Sequence, residues 1–78
     1  MTVEFRTGDD TWQLIHGANA EPVFPNSYQV SFSIAPMWTR HVSVLEAMTF
    51  RVDGRICSKA YVQSTAGSGS LTMMMLVE

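Results

Sequence analysis

The chain is short of charge, of cysteine and of any long apolar run, and each shortage excludes something. Charged residues fill 15% of its 78 positions, against about a quarter in ordinary soluble domains. Little of the surface is therefore shielded by charge. Cys57 is the single cysteine, so no internal disulfide can staple the fold. Together with His16 and His41 it shows no paired ligand spacing, which argues against a structural zinc, and no metal, cofactor or small-molecule motif is expected. No apolar run approaches the ~18 residues needed to span a membrane. The opening stretch from Met1 to Asp10 carries Glu4, Asp9 and Asp10 and lacks the apolar centre of a secretion leader, so synthesis in the cytoplasm is expected.

What is present is apolar. Hydrophobic residues make up 46% of the chain, and the net charge is -2 with a pI near 5.5. That balance argues against a dedicated nucleic-acid binder while leaving room for a local basic patch. One domain of this size seldom draws more than about 3 to 5 kcal/mol of net stability from its own core. With disulfide and metal set aside, association with other subunits is the expected source of further cover.

The strongest local signal is Asp53-Gly54 between two strand-like runs, Val42 to Val62, because Gly54 can take the positive φ of a tight reversal. Val42, Val44, Glu46, Met48, Phe50 and Val52 alternate with Ser43, Leu45, Ala47, Thr49, Arg51 and Asp53 at a period of two, the even positions being the core candidates. A two-residue turn sets Arg51 opposite Ile56 and mixes the apolar sets of the two strands. A three-residue connection with a bulge at Gly54 pairs Phe50 with Ile56 instead and is the preferred register. It also gathers Arg51, Arg55, Lys59 and Tyr61 on a basic outer face, readable as a contact for phosphate or an acidic partner, though a solvated surface is the preferred reading for so few cations on a net acidic chain. The competing reading of residues 39–48 is one short helical turn capped by Thr39, since Leu45, Glu46 and Ala47 are good helix formers. On a strand Glu46 falls in mid-core and needs Arg40, His41, a subunit boundary or a bulge as its partner.

Val3 and Phe5 mark a first strand, and Trp12 and Leu14 share one face of a second, reversed through Gly8-Asp9-Asp10. Gly17 to Asn26 reads as an extended connection broken by Pro22 and Pro25. Within it Val23 and Phe24 are apolar, and they either cap one end of the core or dock on a neighbour. Tyr28, Val30, Phe32 and Ile34 alternate with polar residues as a further strand. Met37 and Trp38, beyond Pro36, are a second apolar loop site. Ser64 to Ser70 is a loop without the Lys-Ser/Thr ending of a phosphate cradle. Leu71 to Val77 is apolar on both faces, with Met74 and Leu76 opposite Leu71, Met73, Met75 and Val77, so it belongs in mid-sheet or between subunits.

The expected fold is all-β, a small antiparallel sandwich or barrel of about six strands in one domain spanning 1–78. Asp9, Asp10 and His16 form no defined cage, and Ser64, His41 and Asp53 make a catalytic set only on paper, so no enzyme is expected. The expected role is that of a non-enzymatic structural or interaction protein joining identical or different subunits. Its composition has the style, without a motif, of virion accessory parts such as capsid-stabilising or decoration proteins and head-to-tail connectors. Subunit contacts are expected at Val23, Phe24, Met37, Trp38, Met74 and Leu76. The rival expectation is a small barrel that binds a ligand or nucleic acid through Trp38, Tyr61 and the basic face.

Overall fold

A computed structural model describes residues 1–34, 41–66 and 68–77. It is all-β: 59% strand, in one antiparallel sheet of seven strands curled into a half-barrel, with one short helix. In chain order these are β1 (Val3–Arg6), β2 (Gln13–Leu14), β3 (Asn19–Val23), β4 (Ser27–Ser33), α1 (Val42–Glu46), β5 (Thr49–Val52), β6 (Arg55–Thr65) and β7 (Ser70–Val77). The strand order is β2-β1-β5-β6-β7-β4-β3. The expected small antiparallel all-β fold is present, with its sheet curled as a half-barrel.

The concave face holds the core. Val3, Phe50, Val52, Val30, Phe32, Leu71, Met73, Met75 and Val77 are buried there. Alternation explains the set: Val30 stands opposite Met73 and Tyr28 opposite Met75, while Val3 stands opposite Val52 and Phe5 opposite Phe50. The final strand is a middle strand, flanked by β6 and β4. Its exposure as an edge is thereby avoided.

The Asp53-Gly54 reversal is present, but in the register set aside above. Arg51 pairs with Ile56 and Val52 with Arg55, and φ is 49° at Asp53 and 81° at Gly54. Positive φ at both central positions makes a two-residue turn whose twist matches the strands. The apparent mixing of apolar sets is resolved further along β6, by a bulge between Cys57 and Lys59. An extra residue there reverses the parity, so Cys57 points to the core before the bulge and Ala60 and Val62 after it. The turn also anchors the chain's start: Thr2 N–H donates to Asp53 Oδ1 and Asp53 N–H to the Thr2 carbonyl, both at 2.8 Å.

Two further expectations are corrected. The alternation from Val42 does not run unbroken as a strand. Val42–Glu46 is the helix α1, with Leu45 buried against the core and strand structure beginning only at Thr49. Val42, Leu45 and Met48 satisfy a helical spacing as well as an alternating one, and Leu45 and Glu46 prefer helix. His41 occupies the N-cap, with no side-chain capping hydrogen bond to α1, and Thr39 lies outside the described residues. Glu46 then leaves the core and accepts a hydrogen bond from Val62 N–H at 2.8 Å. That amide stands beside the second bulge of β6, between Val62 and Ser64, where β6 has already parted from β5.

The connection Gly17 to Asn26 contains a strand. Asn19–Val23 pairs along its length with β4. Pro22 is tolerated because β3 is an edge strand, where a missing N–H costs no ladder bond.

Candidate protein interface

The convex face of β6-β7-β4-β3 is where the proposed contact residues meet. The registers place Lys59, Leu76, Ser27 and Val23 in one row across the four strands, and Tyr61, Met74, Gln29 and Glu21 in the next. A third row, Ser64, Thr72, Ser31 and Asn19, is polar throughout. Two side-chain bonds tie the polar part together: Gln29 Nε2 to Gln63 Oε1 at 3.1 Å, and the Ser31 and Thr72 hydroxyls at 3.4 Å. The apolar part lies toward the β3–β4 turn and the start of β6.

That end is unusually bare. Phe24, in the β3–β4 turn, is 95% exposed, Ile56 56%, Tyr61 41% and Val23 39%. Met74 and Leu76 are half-buried beside them. Phe24 therefore does not cap the core. Scattered apolar residues need no explanation, whereas a cluster ringed by polar ones marks a contact surface. Lys59 sits inside the cluster with its ammonium 5.9 Å from the centre of the Tyr61 ring. Met37 and Trp38 lie outside the described residues.

The expected basic face does not form as drawn. Arg51, Lys59 and Tyr61 share the convex side, but Arg55 stands opposite Val52 and so turns to the other side. There it lines a pocket of about 360 Å³ with Pro22, Phe24, Pro25, Tyr28 and Val77. Arg51 is engaged by Glu4, through Nε to Oε1 at 2.8 Å and Nη2 to Oε2 at 2.9 Å. The pairing holds the Glu4 carboxyl below its ordinary range and lifts Arg51 above its own, the hydrogen bond being the main cause in each.

Sequence reasoning missed the role of Trp12, whose ring has the Arg6 guanidinium 4.6 Å and the Arg51 guanidinium 4.3 Å from its centre. These cation–π contacts occupy the indole. The available signal was that Trp12 and Leu14 share a face with Glu4 and Arg6 across the β1–β2 pair.

Asp53 and Ser64 lie toward opposite ends of β6, and His41 precedes α1, so the paper triad is not assembled. No cluster of three or more potential metal ligands exists among the described residues. An apolar cavity between α1 and the sheet, lined by Phe5, Phe32, Ile34, Leu45, Met48 and Phe50, measures about 120 Å³. It is below the ~300 Å³ where small-molecule sites begin, a size that the pocket beside Arg55 exceeds. Cys57 is buried, and desolvation raises its thiol above the ordinary range, which makes it a poor nucleophile. No helix among the described residues is long and apolar enough to cross a membrane.

The features define a small all-β protein with an apolar cluster at one end of its convex face among the described residues. Comparison with family models, characterised proteins and solved structures finds no match to this chain.

Proposed function

We propose that this is a non-enzymatic interaction subunit, which covers its convex face by joining other subunits in a larger assembly. The supporting observation is the convergence of Val23, Ile56, Tyr61, Met74 and Leu76 at one end of that face, with Phe24 exposed in the β3–β4 turn beside them. Val23 stands about fifty residues from Met74 and Leu76 in sequence, and a solvated surface has no reason to gather them. The finer reading, an accessory part of a virion such as a decoration or connector subunit, is supported by the low charge of the chain and its many Ser and Thr.

The test is mass in solution. Native mass spectrometry and sedimentation of the wild type should show species heavier than one chain, and Met74→Lys, which puts a charge in the middle of the patch, should shift them to the monomer. A wild type that stays a well-folded, freely soluble monomer, with Met74→Lys changing nothing, would sink the reading.

A further inference from the structure

The geometry points to a ligand site on the other side of the sheet from the apolar cluster: the pocket beside Arg55 takes a small molecule that carries one carboxylate on a flat apolar ring. This goes beyond the interaction-subunit reading, and neither depends on the other.

The pocket holds about 360 Å³, inside the range of small-molecule sites. Its walls come from β3, β4, β6, β7 and the β3–β4 turn, and backbone pairing fixes them. Tyr28 stands between Pro22 on β3 and Met75 on β7. Val77 N–H donates to the Asn26 carbonyl at 2.8 Å and so ties β7 to the turn. Phe24 and Pro25 complete the rim from that turn.

The lining selects the ligand. Pro22, Phe24, Pro25 and Tyr28 offer ring faces, against which a flat apolar body stacks. Phe24 is 95% exposed at the mouth, and an occupant of the pocket covers part of its ring. Arg55 is the one charged residue among the described lining residues, and a guanidinium receives a carboxylate through two parallel N–H donors.

Two observations set the arginine on this side. It stands opposite the buried Val52, and its charge partly offsets the burial that raises the thiol of Cys57, which faces the core two residues further on. Arg55 is already engaged within the fold. A guanidinium presents five N–H donors, so the ligand shares the group and does not need it unpaired. One shared cation balances one negative charge, which favours a monocarboxylate over a phosphate.

Benzoate and naphthoate are the probes, titrated to about 20 mM into the full chain while proton–nitrogen correlation NMR follows each amide. Millimolar binding is expected for ligands of so few atoms, with the largest shifts at Phe24, Asn26, Tyr28 and Val77. Benzamide, the same ring without the charge, should bind about tenfold more weakly or worse, and Arg55→Gln should weaken benzoate to the same degree. Phe24→Ala removes an exposed ring, so the fold should persist while affinity falls about threefold or more. Met74→Lys, on the convex side, should leave the affinity as it is. If Arg55→Gln fails to fold, the benzamide comparison and Phe24→Ala decide. No binding of either acid across that range, benzoate and benzamide bound equally, or shifts centred away from the pocket overturns the site. The interaction-subunit reading is judged by mass in solution and stands or falls separately.

Discussion

Three methionines follow one another in β7, and replacing each with alanine should give unlike answers. Met73 and Met75 are fully buried on the concave side, at 0% exposure, whereas Met74 between them is half-buried on the convex side. Truncating a buried methionine costs about 2 to 5 kcal/mol, part of it lost transfer energy and part the cavity left behind. Against the ~3 to 5 kcal/mol expected of one small core, Met75→Ala should leave much of the chain unfolded without denaturant. Met74→Ala, with less surface to lose and room to relax, should cost under ~1 kcal/mol. Urea titration followed by far-ultraviolet circular dichroism measures the difference. With a slope of about 1 kcal/mol per molar for so small a protein, the Met73→Ala and Met75→Ala midpoints should fall by about 2 M or more and that of Met74→Ala by less than ~1 M. If Met74→Ala proves as costly as its neighbours, or Met75→Ala as mild as Met74→Ala, β7 is slipped by one residue and the assignment of faces is wrong.

Three further outcomes are expected. Gly54→Ala places a Cβ at φ 81° and should destabilise by about 1 kcal/mol, read as a lower midpoint in the same titration. Glu4→Gln tests the ion pair. Because the folded-state pKa of Glu4 is depressed, its contribution is present above the unfolded value and is lost as pH falls through the folded one. The variant should therefore be less stable than wild type near neutrality, and the gap should close in acid; a gap unchanged down to about pH 2 contradicts the pairing. Glu46→Ala removes the acceptor for Val62 N–H and should speed exchange of that amide while costing about 1 kcal/mol, whereas unaltered protection at Val62 would show that another group holds it.

Much of this fold is legible in the sequence wherever a single rule governs a stretch. The strand Ser27–Ser33 follows from plain alternation, the strand Ser70–Val77 from a short run that is apolar on both faces, and the reversal at Asp53-Gly54 from its residue types. Failure came where two periodicities fit the same residues, as at Val42, Leu45 and Met48, and where an insertion changed the parity. The bulge after Cys57 has no residue signature: Ser58 and Lys59 are unremarkable, and only the competition between the turn's geometry and the burial of Ala60 and Val62 places it there. The hypothetical placement of the bulge at Gly54 erred because it solved that conflict at the nearest glycine. Pro22 misled in the same way, since a proline breaks a central strand but not an edge.

The apolar cluster was partly visible. Val23, Phe24, Met74 and Leu76 stood out as apolar residues without an assigned place, yet nothing in the order of the chain brings the β3–β4 turn beside the end of β7. Pairing of Ser27 with Leu76 does so. Ile56 was assigned to the core by the wrong register and emerges as part of the patch only once Arg51, and not Phe50, is its partner.

The sheet also has a seam. Among the described residues only the strand pairs Arg51 with Ile56 and Val52 with Arg55 join the strands β2-β1-β5 to the remainder, so the two halves are held mainly by side chains packed across the concave side. Regions joined by few backbone bonds open at lower free energy than those stitched by long ladders. The amino-terminal half should thus come away first as conditions worsen, and amide exchange in Val3–Arg6 should outrun that in Ser70–Val77. Every residue of the apolar patch belongs to the part that stays behind, except that Ile56 sits on the seam itself, so a seated neighbour would act as a clasp over the weakest line in the molecule.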